Sequence, residues 1–121
     1  LGRRLARAAG VSVDWREADL RRPDALPAGP WAAVLLFRYL QRDLIARLPA
    51  VLDPHAIVML RTFRHVTGYV GNPLPRHRLA RGEAAAWWPA EPRQMLVYEE
   101  GFDADGKPAA GLVARWTGRR P

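Results

Sequence analysis

No cysteine occurs anywhere in the chain, so disulfide staples, thiolate metal sites and a cysteine nucleophile are excluded and nothing points to an oxidising compartment. Lysine is nearly absent too, Lys107 being the only one among 19 basic residues. No apolar run approaches the roughly 20 residues that span a bilayer, and the opening Leu1-Gly2-Arg3-Arg4 lacks the apolar block of a signal peptide. A soluble, cytoplasmic protein without a membrane partner is the expectation. A glycine-rich turn after a first strand is missing, as is an acidic residue ending a second strand, so the dinucleotide-type cofactor loop has no counterpart. The first residue is Leu rather than Met, and the sequence reads as one that starts inside a longer gene product.

At 121 residues the chain is long enough for one domain with a core of its own and short for an enzyme that also encloses a cofactor. The formal charge of +7, from 19 basic against 12 acidic residues, suits an anionic partner such as RNA, because arginine gains by releasing counterions from phosphates. A compositional bias toward Arg, Ala, Pro and Gly gives the same charge without any binding role.

Leu1, Leu5, Ala8 and Ala9 recur at helical spacing with Arg between them, and Gly10 stands where a left-handed cap ends a helix. Val11, Val13 and Trp15 then alternate with Ser12, Asp14 and Arg16, the pattern of a half-buried strand. Residues 21–30, with Pro23, Pro27, Gly29 and Pro30, form a loop. Trp31 to Phe37 is an unbroken apolar run that fits a central strand covered on both faces. Leu40, Leu44, Ile45, Leu48 and Leu52 predict a helix stopped by Asp53-Pro54, and Ile57 to Leu60 a second buried strand, which completes a βαβ unit. The polar segment 62–81 is long for a connector. Gly82 to Trp88 reads as a helix. Met95, Val97 and Tyr98 form a hairpin through the turn Asp103-Ala104-Asp105-Gly106 with Leu112, Val113, Ala114 and Trp116.

This order of elements resembles the second half of a class I S-adenosylmethionine-dependent methyltransferase. Trp15-Arg16-Glu17-Ala18-Asp19-Leu20 is similar to that family's motif after its third strand, and the match implies that Asp19 accepts the adenine amine while the Leu20 N–H meets a ring nitrogen. The run Trp31 to Leu40 is similar to the fourth strand and its exit, implying that Phe37 lies against the cofactor and the transferred methyl, with Arg38 and Tyr39 on the substrate side. Leu52-Asp53-Pro54-His55 stands where the family has a Leu-x-Pro-Gly-Gly turn, and Arg61-Thr62-Phe63 is similar to a Glu-Thr-Phe strand end in bacterial small-molecule methyltransferases. Gly71-Asn72-Pro73 and Gly82-Glu83 resemble the loop and helix that follow, bringing Asn72, Arg76 and Arg78 to the substrate. The chain departs from the pattern at Ala32, where an aspartate is common, and at Asp53 and His55, which replace glycines.

The resemblance implies an α/β fold, with a Rossmann-like and mostly parallel sheet, an antiparallel C-terminal hairpin and no first two strands. It treats 1–121 as one partial methyltransferase-like domain. S-adenosylmethionine is the implied cofactor, no metal is expected, and the partner is a small-molecule methyl acceptor. In that fold two strands separate the third from the fourth, so their absence leaves an opening of roughly 14 Å at about 4.8 Å per strand. Upstream residues fill it, or the Val13 strand pairs elsewhere, or a partner supplies the strands.

Several features carry two readings. Asp19 is an adenine acceptor or a turn former. Tyr39 is a ligand contact or a seal on the core. His55, His65 and His77 lie at no recognised ligand spacing and read as exposed or loop-packing residues. Arg76, His77, Arg78 and Arg81 bind a carboxylate or phosphate, or form a solvated basic loop. Trp87 and Trp88 are core anchors or a stacking platform. Against the enzyme stands a non-catalytic, methyltransferase-like binding or structural subunit that meets RNA or protein through a basic surface.

Overall fold

The computed structural model describes residues 1–117. Helix α1 (Gly2–Ala8) is followed by strand β1 (Trp31–Phe37), helix α2 (Arg42–Arg47), strand β2 (Leu52–Phe63) and the hairpin of β3 (Arg93–Phe102) and β4 (Pro108–Trp116). The strands form one sheet in the order β1-β2-β4-β3. β1 and β2 are parallel, whereas β4 lies antiparallel to both of its neighbours, β2 and β3. The fold is therefore mixed α/β, and its parallel part is confined to one strand pair rather than spread over most of the sheet.

Two signals near the N-terminus fare differently. Gly10 adopts φ +68°, and the amides of Gly10 and Val11 donate to the carbonyls of Arg7 and Ala6 at 3.2 and 3.0 Å, the paired bonds of a Schellman cap. The strand expected at Val11 to Trp15 does not form. That segment is unpaired and its three apolar side chains are exposed, because no neighbouring strand among the described residues offers its amides and carbonyls a ladder. Trp15 instead packs on Gly2, where a Cβ would come within 2.7 Å of the indole, and under the Arg3 guanidinium, 5.6 Å from the ring centroid.

β1 is an edge strand, not a central one, since β2 is its only partner among the described residues. In β2 the inward residues Val58, Leu60 and Thr62 are buried while Met59 between them is 36% exposed. One sheet face is thus covered and the other is open. The open face carries a row running across all four strands, Leu35, Met59, Val113 and Val97 in register, with Leu35 and Val97 55% and 49% exposed. Unbroken apolar runs encode strands covered twice, and here only one cover is present among the described residues.

The covered face holds the core. Ile45 and Leu48 from α2 and the short 3-10 turn Leu48–Val51 meet Val58 and Leu60 of β2 and Ala110, Leu112, Ala114 and Trp116 of β4. α2 is shorter than its apolar spacing predicts because this 3-10 turn, with Pro49 in it, takes over before Asp53-Pro54. The Asp53-Pro54-His55 segment becomes an irregularity within β2, between the pairs Trp31–Leu52 and Ala33–Ile57. The helix expected over Gly82–Trp88 reduces to one 3-10 turn, Ala84–Ala86.

Trp88 closes the core. It is 5% exposed, meets Trp116 edge to face at 5.5 Å and donates from Nε1 to the Ile45 carbonyl at 3.2 Å. Trp87 is half-buried, and its Nε1 donates to Glu83 at 3.3 Å. The tryptophan pair therefore anchors the core and is not a free stacking platform. Trp88→Ala should cost roughly 3–5 kcal/mol of unfolding free energy; urea denaturation showing less than about 1 kcal/mol would mean that Trp88 does not hold the core together.

Candidate functional site

Parallel strands deliver their next residues to the same end of a sheet, which is where open α/β sheets bind ligands. The exit of β1 supplies Arg38, Tyr39, Leu40 and Gln41, the end of β2 supplies Thr62 and Phe63, and Arg21, Pro73 and His77 close a cleft of about 460 Å³ around them. That volume lies within the usual range for small-molecule sites.

Arg38 turns the chain out of the sheet. Its φ is +55°, and it alone among the described residues other than glycine has a positive φ, a conformation that costs an L residue about 1–2 kcal/mol. Its amide donates to the Arg61 carbonyl at 2.8 Å, and its guanidinium carbon sits 5.6 Å from the centroid of the Phe63 ring. No carboxylate among the described residues forms an ion pair with it. Asp103 faces a neighbouring hollow beside Arg38, but its carboxylate accepts from Arg61 Nε at 2.8 Å.

The segment matched to the adenine motif is tied to this cleft. The Tyr39 hydroxyl donates to Gln41 Oε1, and Gln41 Nε2 donates to the Leu20 carbonyl at 2.9 Å. Asp19 caps a local turn. Its carboxylate accepts from the Arg21 amide at 3.0 Å and from Arg21 Nε and Nη2 at 2.9 and 3.0 Å. The Arg21 guanidinium holds the Asp19 carboxyl below its usual range. The Leu20 N–H donates to no group among the described residues.

The other expected ligand residues divide. Phe37 lies on the open face, in the hollow formed with Arg38, Arg61, Thr62, Phe63 and Asp103, not in the main cleft, because strand alternation turns it away from its neighbour Leu36. Arg78 is 4% exposed and donates to the carbonyls of Pro73, Tyr69 and Gly71, so its guanidinium is spent on fastening the loop. Asn72 and Arg76 are exposed and do not line the cleft; their neighbours Pro73 and His77 do. His55 is exposed at the start of β2, and His65 lines a separate hollow with Arg64, Arg81 and Glu100.

Sequence reading missed Gln41 and Arg42, and it noted Glu83 only beside Gly82 at a helix start, without its ion pair. Arg42 Nε and Nη2 grip the Glu83 carboxylate at 2.7 and 2.9 Å, and Nη1 and Nη2 reach the carbonyls of Arg76 and Arg78, both at 3.0 Å. This clamp holds the loop that carries Pro73 and His77 against the start of α2. A separation of 41 residues has no local sequence signature.

No family model matches the chain, and no curated protein matches it in sequence. A solved structure does: the [4+2]-cyclase SpnF, with a TM-score of 0.67 at 15% sequence identity, over 97% of this chain and 61% of that one. The likeness is one of fold. The chain spans about 61% of the length of that protein.

The clamp makes a pH prediction. Arg42 holds the Glu83 carboxyl below its ordinary 4.5, so its stabilisation is present above about pH 4.5 and is lost as pH falls through the lower folded value. Glu83→Gln should cost roughly 1 kcal/mol at neutral pH and flatten the loss of stability as pH falls below the ordinary 4.5 of the carboxyl. Thermal melts with the same acid slope for both proteins would rule this out.

Proposed function

We propose that the chain is the substrate-side part of an S-adenosylmethionine-dependent methyltransferase that acts on a small-molecule acceptor. The observation that carries the reading is the hydrogen-bonded link from the cleft to the adenine-matched segment, Tyr39 to Gln41 to Leu20. It puts a free backbone amide and a carboxylate next to the cleft at the strand exits. The sheet supports the same reading: a parallel pair followed by a hairpin whose last strand runs reversed beside β2 is the end of the Rossmann-like sheet that the methyltransferase resemblance implies. In this reading the free edge of β1 and the open face are where the strands and helices preceding Leu1, with the glycine-rich loop, are placed.

When bound, S-adenosylmethionine supplies an electrophilic methyl group. The chain's own residues then have three tasks. Asp19 and Leu20 hold the adenine end. Tyr39, Leu40, Phe63 and Pro73 wall the acceptor and exclude water from it. The Arg42–Glu83 clamp positions the loop over it, and positioning is the main contribution such a transfer needs. A likeness of fold carries no activity across, so ring-forming chemistry is not transferred from the cyclase.

A second reading is favoured by α1. Arg3, Arg4 and Arg7 form no ion pair among the described residues, which suits a non-catalytic subunit that meets RNA phosphates. Calorimetric titration separates the two. The enzyme reading expects saturable S-adenosylhomocysteine binding that changes little with salt and weakens roughly tenfold in Asp19→Ala. Absence of saturable binding, together with RNA affinity that falls steeply as salt rises, would discard the enzyme in favour of the binding subunit.

A further inference from the structure

The lining of the main cleft holds cations and, among the described residues, no carboxylate. Its charged lining side chains are Arg21 and Arg38, with His77 beside them, and no Asp or Glu is among the lining residues. Arg21 is already taken by Asp19, whereas Arg38 has no carboxylate partner among the described residues. The surrounding field adds to this, because Lys107 Nζ also lies 5.7 Å from the Phe63 ring that carries Arg38. Tyr39, Leu40, Phe63 and Pro73 supply flat apolar walls.

The backbone at Arg38 is a second, independent observation. At φ +55° a glycine or asparagine would sit without the strain that arginine bears. The strained backbone sets the guanidinium 5.6 Å from the Phe63 ring centroid, and with no ion pair among the described residues its donor fork is open to a planar anion. One further feature completes the setting: the cleft volume of about 460 Å³ accommodates a molecule of one or two rings.

We infer that the acceptor bound in this cleft is a planar, ring-containing carboxylate, its anionic group held by Arg38 and its ring held between Phe63 and Pro73. The inference rests on reading the cleft as the acceptor site and adds the chemical class of the acceptor. It makes Arg38 a binding residue, and it accounts for a left-handed arginine at the one point where the chain leaves the sheet toward the ligand.

The test is a titration of the protein with benzoate and with its neutral counterpart benzamide, followed by nuclear magnetic resonance at low ionic strength and without any adenine compound. Benzoate should bind saturably and benzamide roughly tenfold more weakly. Arg38→Asn, which tolerates the left-handed backbone, should keep or raise the melting temperature and lose roughly tenfold in benzoate affinity; Arg38→Gly serves the same purpose should the asparagine variant misfold. Arg115→Ala, exposed on β4, should leave benzoate binding unchanged. Equal binding of benzoate and benzamide, no saturable benzoate binding, or full benzoate affinity in a folded Arg38 variant would overturn the inference. S-adenosylhomocysteine binding measured in parallel separates the two levels: intact with no Arg38-dependent benzoate binding, it removes the acceptor class alone; absent while Arg38-dependent benzoate binding persists, it removes the methyltransferase reading alone.

Discussion

The insertion of β4 between β2 and β3 is the constraint on which the other features rest. A strand with neighbours on both edges and a core on one face must be narrow, and β4 begins Pro108-Ala109-Ala110-Gly111, all buried. Gly111 sits where a Cβ would come within 3.1 Å of the Leu60 carbonyl oxygen and 3.4 Å of Arg61 Nη1. The glycine gives the Arg61 side chain room to pass over β4 and reach Glu99 of β3 at 2.7 Å and Asp103 of the hairpin turn at 2.8 Å. One guanidinium thereby ties three strands together. The far end of the same strand brings Trp116 under Trp88.

From this placement the cleft follows. With β4 beside β2, the end of β2 lies next to the start of β4, and the Arg64 amide donates to the Pro108 carbonyl at 3.2 Å while its Nε reaches the carbonyls of Gly101 and Ala109. The loop after β2 therefore departs in a fixed direction. It returns alongside itself through His65 and Leu79, and Arg42 locks its far side through Glu83. A second lock lies at Glu100, which accepts from the Gly82 amide and the Tyr98 hydroxyl at 2.8 and 2.7 Å. Burial of the Tyr98 phenol and its bond to Glu100 raise its pKa to about 12, which keeps it a donor throughout the neutral range. The polar segment is thus a fixed wall of the site, with Arg64 and Arg78 spent on backbone carbonyls, while Arg38 forms no ion pair among the described residues.

The covered and open faces of the sheet carry opposite information. On the covered face Val58 and Leu60 of β2 and Ala110, Leu112, Ala114 and Trp116 of β4 join one core, and the cleft lies where β1 and β2 end. On the open face the row from Leu35 to Val97 has no partner among the described residues. A sheet so apolar on both sides belongs to architectures that cover it twice, which is the physical reason the proposed function places further elements there.

By itself the sequence determined what depends on neighbours along the chain. The Gly10 cap needs only local backbone geometry, the runs at Trp31–Phe37 and Ile57–Leu60 need only β-forming apolar residues, and the hairpin turn at Asp103–Gly106 needs only its Asp and Gly. The candidate site was legible in part for the same reason: Arg38 and Tyr39 follow a strand, and the exit of a parallel strand is where ligands bind. Tertiary structure decided the remainder. Val11 to Trp15 has the alternation of a strand, but pairing requires a partner that a local pattern cannot specify. Arg78 and Arg38 are the same residue type on the same side of the chain's polar stretches, yet one is buried against three carbonyls and the other faces the cleft with no counter-charge. Which arginine is spent and which is free depends on contacts between residues tens of positions apart, and those exist only once β4 has taken its place in the sheet.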